Sequence, residues 1–282
     1  MSKFRKNILL PIAAFATVFT TGCYEPLSVD EYGNCDRTIV IEGRITDGDS
    51  VSTVIVSRSV EATDTADCEL VDGAIVLIRD DKGNSAQLEN IGKGVYQTNN
   101  IAGTAGTQYL LTVEVEGDRY TSIEKMPQRF FIDSIVVEYR DNYTIFDTIG
   151  YYASVYTKQK PDTMHYYRIE IEKNGVLLND GSSLWLYEES RMADIYKMTV
   201  PCTLNAGDEV VVSVYSLSAS VYEYFSGLSK QFSSKYSNIQ PPLINPNGNI
   251  TPSALGCFQA LSVIRSRFVV DGSRRKVVLV SQ

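Results

Sequence analysis

The chemistry open to this chain is narrowed by its single histidine, His165. A Ser-His-Asp triad would have to be built on that residue, and no Gly-x-Ser-x-Gly elbow accompanies it. One imidazole also excludes a multi-histidine metal site. His165 opens the run His165-Tyr166-Tyr167-Arg168-Ile169-Glu170, where a solvated or hydrogen-bonded strand residue is expected. Carboxylate pairs are the remaining route to hydrolysis, because glycoside cleavage needs two acids at a set separation. Glu188-Glu189 and Asp80-Asp81 are direct neighbours, and neighbours on a strand point to opposite faces. Asp47-Gly48-Asp49 is too sparse for calcium and reads as a turn. Gly92-Lys93-Gly94 lacks the spacing of a phosphate loop. No catalytic residue, metal or cofactor is therefore assigned, and the expectation is a protein that is not an enzyme.

Aromatic side chains are the better lead. The chain holds 18 Tyr and one Trp, and Tyr139, Tyr143, Tyr151, Tyr152, Tyr166, Tyr167, Trp185 and Tyr187 gather in its second half. Aromatic faces stack on sugars and peptides and anchor interfaces; the same residues also fill β-cores. If one surface binds a glycan or peptide, Trp185 and Tyr187 are the place expected. The formal net charge is −8. Lys3, Arg5 and Lys6 all precede residue 23, and removing them takes it to −11. Phosphates would be repelled, which argues against nucleic acid as a partner.

Residues 1–22 read as an export signal. A positive start is followed by the apolar stretch Ile8 to Phe19, too short to span a bilayer, and then by Thr20-Thr21-Gly22 before Cys23. The pattern resembles a bacterial lipoprotein signal, although Thr20 stands where such signals usually have Leu. The resemblance implies that Cys23 becomes the new N-terminus and carries diacylglycerol and palmitate-type chains. Residues 23–36 would form a tether, and Glu25, Asp30 and Glu31 resemble the acidic signal for display on the outer face of the outer membrane. Four cysteines remain in an oxidising compartment, Cys35, Cys68, Cys202 and Cys257. They allow three pairings; Cys35–Cys68 with Cys202–Cys257 is preferred, since each bridge stays within one half of the chain, and four buried thiols are the alternative.

The elements that must position these residues are mostly β. Thr38–Ile45, Thr53–Arg58, Ala74–Arg79, Val95–Thr98, Tyr109–Val115 and Arg119–Ile123 read as short strands, with Glu116-Gly117-Asp118 turning a hairpin. Residues 37–126 are thus expected to form a β-sandwich. Gly73-Ala74-Ile75-Val76, Asp80 to Asn84, Gly94-Val95-Tyr96 and Gly106 to Leu110 resemble transthyretin-like or Ig-like sandwiches. Met126-Pro127-Gln128 marks a boundary. Residues 127–282 follow as a second β-rich domain, with an Asn174-Gly175 turn and with Cys257–Val263, Arg267–Val270 and Lys276–Val280 as closing strands. Val221, Phe225, Leu228 and Phe232 line one face of a helix near 221–235, with Ser220 and Glu223 at capping-box spacing.

Several words in a fixed order carry a wider resemblance: Val40-Ile41-Glu42-Gly43-Arg44-Ile45, Gly94-Val95-Tyr96, Tyr222-Glu223-Tyr224-Phe225, Pro241-Pro242, Gly248-Asn249-Ile250 and Leu255-Gly256-Cys257-Phe258. Together with the early Cys23 they are similar to the family called domain of unknown function 4249, outer-membrane lipoproteins of Bacteroides-like bacteria. In that family the position of Cys257 is often aromatic. The resemblance implies an accessory lipoprotein that associates with a TonB-dependent β-barrel receptor, on the extracellular face of the outer membrane, in nutrient capture. Two other readings stay open: a structural or pilin-like β-lipoprotein that donates strands between subunits, and a hydrolase using paired carboxylates.

Overall fold

The computed structural model describes residues 37–60, 68–141, 148–157, 164–178, 184–189, 196–199, 202–234 and 245–279. The lipidation candidate Cys23, the tether, Cys35, Tyr143 and Pro241-Pro242 lie outside them. The described residues form seventeen strands and one helix. In the first half these are β1 (Ile39–Thr46), β2 (Ser52–Arg58), β3 (Ile75–Asp80), β4 (Ser85–Gln87), β5 (Glu89–Gly92), β6 (Val95–Thr98), β7 (Gln108–Val115) and β8 (Asp118–Lys125). In the second half they are β9 (Ser134–Arg140), β10 (Gly150–Thr157), β11 (His165–Lys173), β12 (Val176–Leu177), β13 (Trp185–Glu189), β14 (Tyr196–Thr199), β15 (Glu209–Leu217), α1 (Ala219–Ser234), β16 (Leu255–Val269) and β17 (Arg275–Leu279).

The main sheet has nine strands, in the order β12-β11-β15-β16-β1-β2-β6-β5, with β13 also on β11. Two four-stranded sheets, β4-β3-β7-β8 and β14-β10-β9-β17, complete the layers. The fold is mostly β, as the strand spacing predicts. Both tight turns are also where they are expected. Glu116-Gly117 and Asn174-Gly175 have positive φ at both positions and join strands in two-residue loops, the geometry that matches strand twist.

Two cores lie on one face of the main sheet. In the first, Ile41, Val54 and Tyr96 pack against Val76, Ile78, Leu111 and Val113. In the second, Tyr167, Ile169, Val212 and Val214 pack against Ile135, Val137 and Val155. The chain passes from one core to the other at Met126–Phe130, near the expected boundary, yet the sheet runs through both. The reason is β16. Two closing strands, Cys257–Val263 and Arg267–Val270, are expected from the sequence; the structure has one strand of 15 residues. No Gly or Pro interrupts Ile264-Arg265-Ser266, and β15 pairs across that stretch. Its Phe258 and Ala260 enter the first core, and its Ile264 and Phe268 enter the second. Two short polar strands, β4 and β5, carry no hydrophobic alternation and are not legible as strands in the sequence.

The first and last long strands pair in parallel, with Ile41 opposite Gly256 and Gly43 opposite Phe258. Asn249 holds this seam: its Oδ1 accepts from Phe258 N–H at 2.8 Å, and its Nδ2 donates to Phe258 C=O at 2.8 Å and to buried Glu124 at 2.7 Å. Three of the words that carry the family resemblance, Val40 to Ile45, Gly248-Asn249-Ile250 and Leu255 to Phe258, therefore lie at this seam. The Tyr96 hydroxyl in the first sandwich donates to Val71 C=O and accepts from Ala74 N–H, both at 2.9 Å. A buried phenol there satisfies two backbone groups that would otherwise be costly.

The helix begins two residues earlier than expected and its cap differs. Ser218 Oγ accepts from Val221 N–H at 3.3 Å, whereas Ser220 donates to Glu124 at 2.8 Å. The expected Ser220–Glu223 capping box is thus not formed, because α1 begins at Ala219 and places Ser220 inside the helix, with Ser218 as the cap. Val221, Phe225 and Leu228 do form the predicted stripe, packed on Tyr215, Leu217, Cys257, Leu261 and Val263.

The expected Cys202–Cys257 disulfide is also corrected. Both are free thiols. Cys202 packs against the second core and Cys257 lies under α1, so the two halves of that expected pair sit in different apolar layers. Cys68 is exposed, and its pairing with Cys35 falls outside the described residues. Burial pushes the Cys202 thiol up to about 11 and raises Cys257 as well. Since only the thiolate reacts, a two-unit rise removes roughly 99% of the reactive form at pH 8. Iodoacetamide at that pH is expected to leave both thiols intact in folded protein and to modify both in denaturant, as read by peptide mass spectrometry.

Candidate functional site

The cavity of interest opens where the 127–131 connection crosses the end of the main sheet. Its volume is about 410 Å³, and its walls come from the connection, the start of β11, the end of β15 and the first residue of α1. Each piece is placed by local forces. Arg129 donates through Nε to Asp47 Oδ2 at 2.6 Å, and Asp47 Oδ1 accepts from Val263 N–H at 2.8 Å. That carboxylate, 5% exposed, pins the connection to the end of β1 and to β16. The Asp47-Gly48-Asp49 turn is therefore a clamp and not a cation loop.

The floor is aromatic. Phe130 tilts against Tyr167 with ring centroids 4.2 Å apart, and Tyr166 stacks on Tyr222 of α1 at 4.4 Å. Phe131 and Met164 stand at the rim, 42% and 39% exposed. His165 Nδ1 lies 3.1 Å from the Tyr167 hydroxyl. A phenol orients the imidazole without supplying the negative charge that a triad acid would. The arrangement can hold an apolar or aromatic group and offer it one hydrogen bond.

The structure brings His165, Tyr166 and Tyr167 together at the cavity; Tyr187 lies opposite Tyr167 on β13 without lining it. Trp185 and Tyr187 are half-buried against the second core, and the Tyr187 hydroxyl donates to Thr199 C=O at 2.8 Å. Tyr151 donates to Gly272 C=O at 2.7 Å and meets Tyr139 edge-on at 5.0 Å. Tyr152 donates to Thr148 C=O at 2.8 Å, with Arg140 over its ring. The Tyr151, Tyr152 and Tyr187 hydroxyls are thus satisfied within the core and sheet faces. Phe130, Phe131 and Met164 were not legible as a site: two lie in a connection and one just before a strand.

Asp80 and Asp81 behave as turn residues, whereas Glu188-Glu189 lies on β13. Asp80 accepts from Lys82 N–H, Asn84 N–H and Asn84 Nδ2, and Asp81 accepts from Gln108 N–H at 3.3 Å. Hydrogen bonds from Asn84, working against partial burial, hold the Asp80 carboxyl below its ordinary range. Glu188 is exposed on β13. Among the described residues no group of three His, Cys, Asp or Glu side chains is placed to hold a metal ion.

No curated protein matches the chain. The family resemblance is borne out over most of its length. The chain belongs to the family described as Domain of unknown function (DUF4249), whose model matches residues 24–267.

Proposed function

We propose that the protein is a lipid-anchored accessory protein of an outer membrane, joined to it through Cys23 and exposed on the extracellular side, which associates with a TonB-dependent receptor and helps capture its ligand by binding and not by turnover. One observation carries the reading. The family match begins at residue 24, directly after the cysteine that ends a basic, apolar leader, so the leader and its acceptor thiol stand outside the family's body. Among the described residues no helix is long and apolar enough to cross a membrane. The aromatic cavity supports binding: its exposed rim of Phe131 and Met164 surrounds a floor that can take an apolar group.

Strand donation is less favoured by the topology. β1 pairs with both β2 and β16, and freeing it would open the first core.

The test is affinity purification of the tagged protein from detergent-solubilised outer membrane of its host. A co-purifying β-barrel receptor is expected, in an amount reduced by Phe131→Ser with Met164→Ser. Ladders of the chain alone would favour the pilin-like alternative. Turnover of a glycan or peptide panel that is lost on substituting Asp80 and Asp81 would favour the hydrolase.

A further inference from the structure

The face of the main sheet opposite the two cores is divided. α1 covers one part. Beside it, three guanidiniums converge on one phenol. Arg44 of β1 lies 4.8 Å from the Tyr215 ring centroid and Arg168 of β11 lies 5.2 Å from it. Arg265 of β16 reaches the Tyr215 hydroxyl at 3.5 Å. Strand register produces the convergence, because Arg168 sits directly opposite Tyr215 and Arg265 sits opposite Ser213.

The positive charges are unevenly matched. Arg168, its side chain 7% exposed, pairs with Glu170 at 2.8 Å and lies over the Phe225 ring at 4.6 Å. Burial lowers its proton affinity, Glu170 opposes that, and the Arg44 charge adds to it. Arg265 holds Asp49 at 2.8 Å and also donates to Gly48 C=O. Arg44 is left with the far side of the same carboxylate at 3.8 Å. Its Nε is buried and has no hydrogen-bond partner; the same holds for Arg168, but Arg44 is the one of the two that lines a cavity. A buried donor without a partner is costly, and a guanidinium is the group best shaped to take a carboxylate or phosphate with two parallel bonds.

Arg44 opens on a cavity of about 330 Å³, lined also by Asp49, Val51, Thr53 and Gln97. Gln97 Nε2 donates to Thr53 Oγ1 at 3.3 Å. That bond uses one amide hydrogen and leaves the second, with the Thr53 hydroxyl hydrogen, available to a guest. Val51 supplies an apolar wall. Glu42 lies on the same strand face, and its field reaches Tyr224 and Cys257 on the helix side.

We propose that this cavity is an oxyanion subsite, in which Arg44 takes the carboxylate or phosphate group of a small solute while Thr53 and Gln97 complete the donor set. Asp49 is the internal competitor, and binding leaves it with Arg265 alone. The inference stands whether or not Cys23 is acylated.

Titration of the purified full chain with succinate and with inorganic phosphate, at constant ionic strength, tests it through the arginine Nε–Hε signals. Saturable binding of at least one is expected, and the arm that saturates names the group. Arg44→Gln should weaken it on the order of tenfold, as loss of a charge-assisted pair does, with far-UV circular dichroism checking the fold. Asp49→Asn should tighten it several-fold, which a purely structural arginine would not produce. Non-saturating drift in the native chain, or affinity unchanged in both variants, overturns the proposal.

Discussion

Gly256→Ala is expected to remove about 4 kcal/mol of folding stability, a large share of the ~5–15 kcal/mol typical of a domain. The residue has φ +95°, a conformation that costs a side chain about 1–3 kcal/mol. The added Cβ would also stand well inside 3.0 Å of the Ile41 carbonyl, and neither strand can yield. β1 is held on its other edge by β2, and Phe258, two residues on, is fixed by Asn249 and lies where a Cβ on Gly43 would be only 2.8 Å away. Overpacking of this kind adds about 1–3 kcal/mol. Gly83→Ala is the matched control. It has φ +96° and nothing within 4 Å of the added atom, so only the backbone strain remains. Urea unfolding should show a much lower midpoint for Gly256→Ala at an unchanged slope. Equal losses in the two variants would mean that the β1–β16 seam contributes nothing special.

Cys23→Ser is expected to move the protein from the membrane pellet to the soluble fraction. Acylation begins with attack by sulfur, and a serine hydroxyl at this position is a far poorer nucleophile. Each buried methylene adds ~0.8 kcal/mol, and one chain alone gives only marginal binding; loss of every chain should therefore be close to all-or-none. The body should be untouched, since the strands of the fold begin at Ile39. Circular dichroism and the urea midpoint should match the native chain. Intact-mass measurement should find the acyl mass on the native mature protein and not on the variant. A variant that still pellets after a high-salt wash would remove the basis of the proposed anchor.

What was legible in the sequence was local. The apolar run at Thr38–Ile45, the alternation at Tyr109–Val115, the Asn174-Gly175 turn and the Val221-Phe225-Leu228 stripe each describe a few neighbouring residues, and each is found as expected. A period of two says which side chains share a face, but not which strand lies alongside. Partner choice belongs to the packed molecule. It put the first strand beside the last in parallel, let β16 serve two cores, and separated Cys202 from Cys257 into different layers. It also gave the Ser220 hydroxyl to Glu124, some 96 residues away in the chain. Both cavities share that origin. His165 and Phe130 line one cavity because Asp47 pins a distant connection over the sheet end, and Arg44, Arg168 and Arg265 converge on Tyr215 because distant strands pair in one register; the energies that select such an arrangement are summed over whole faces rather than written in any short word.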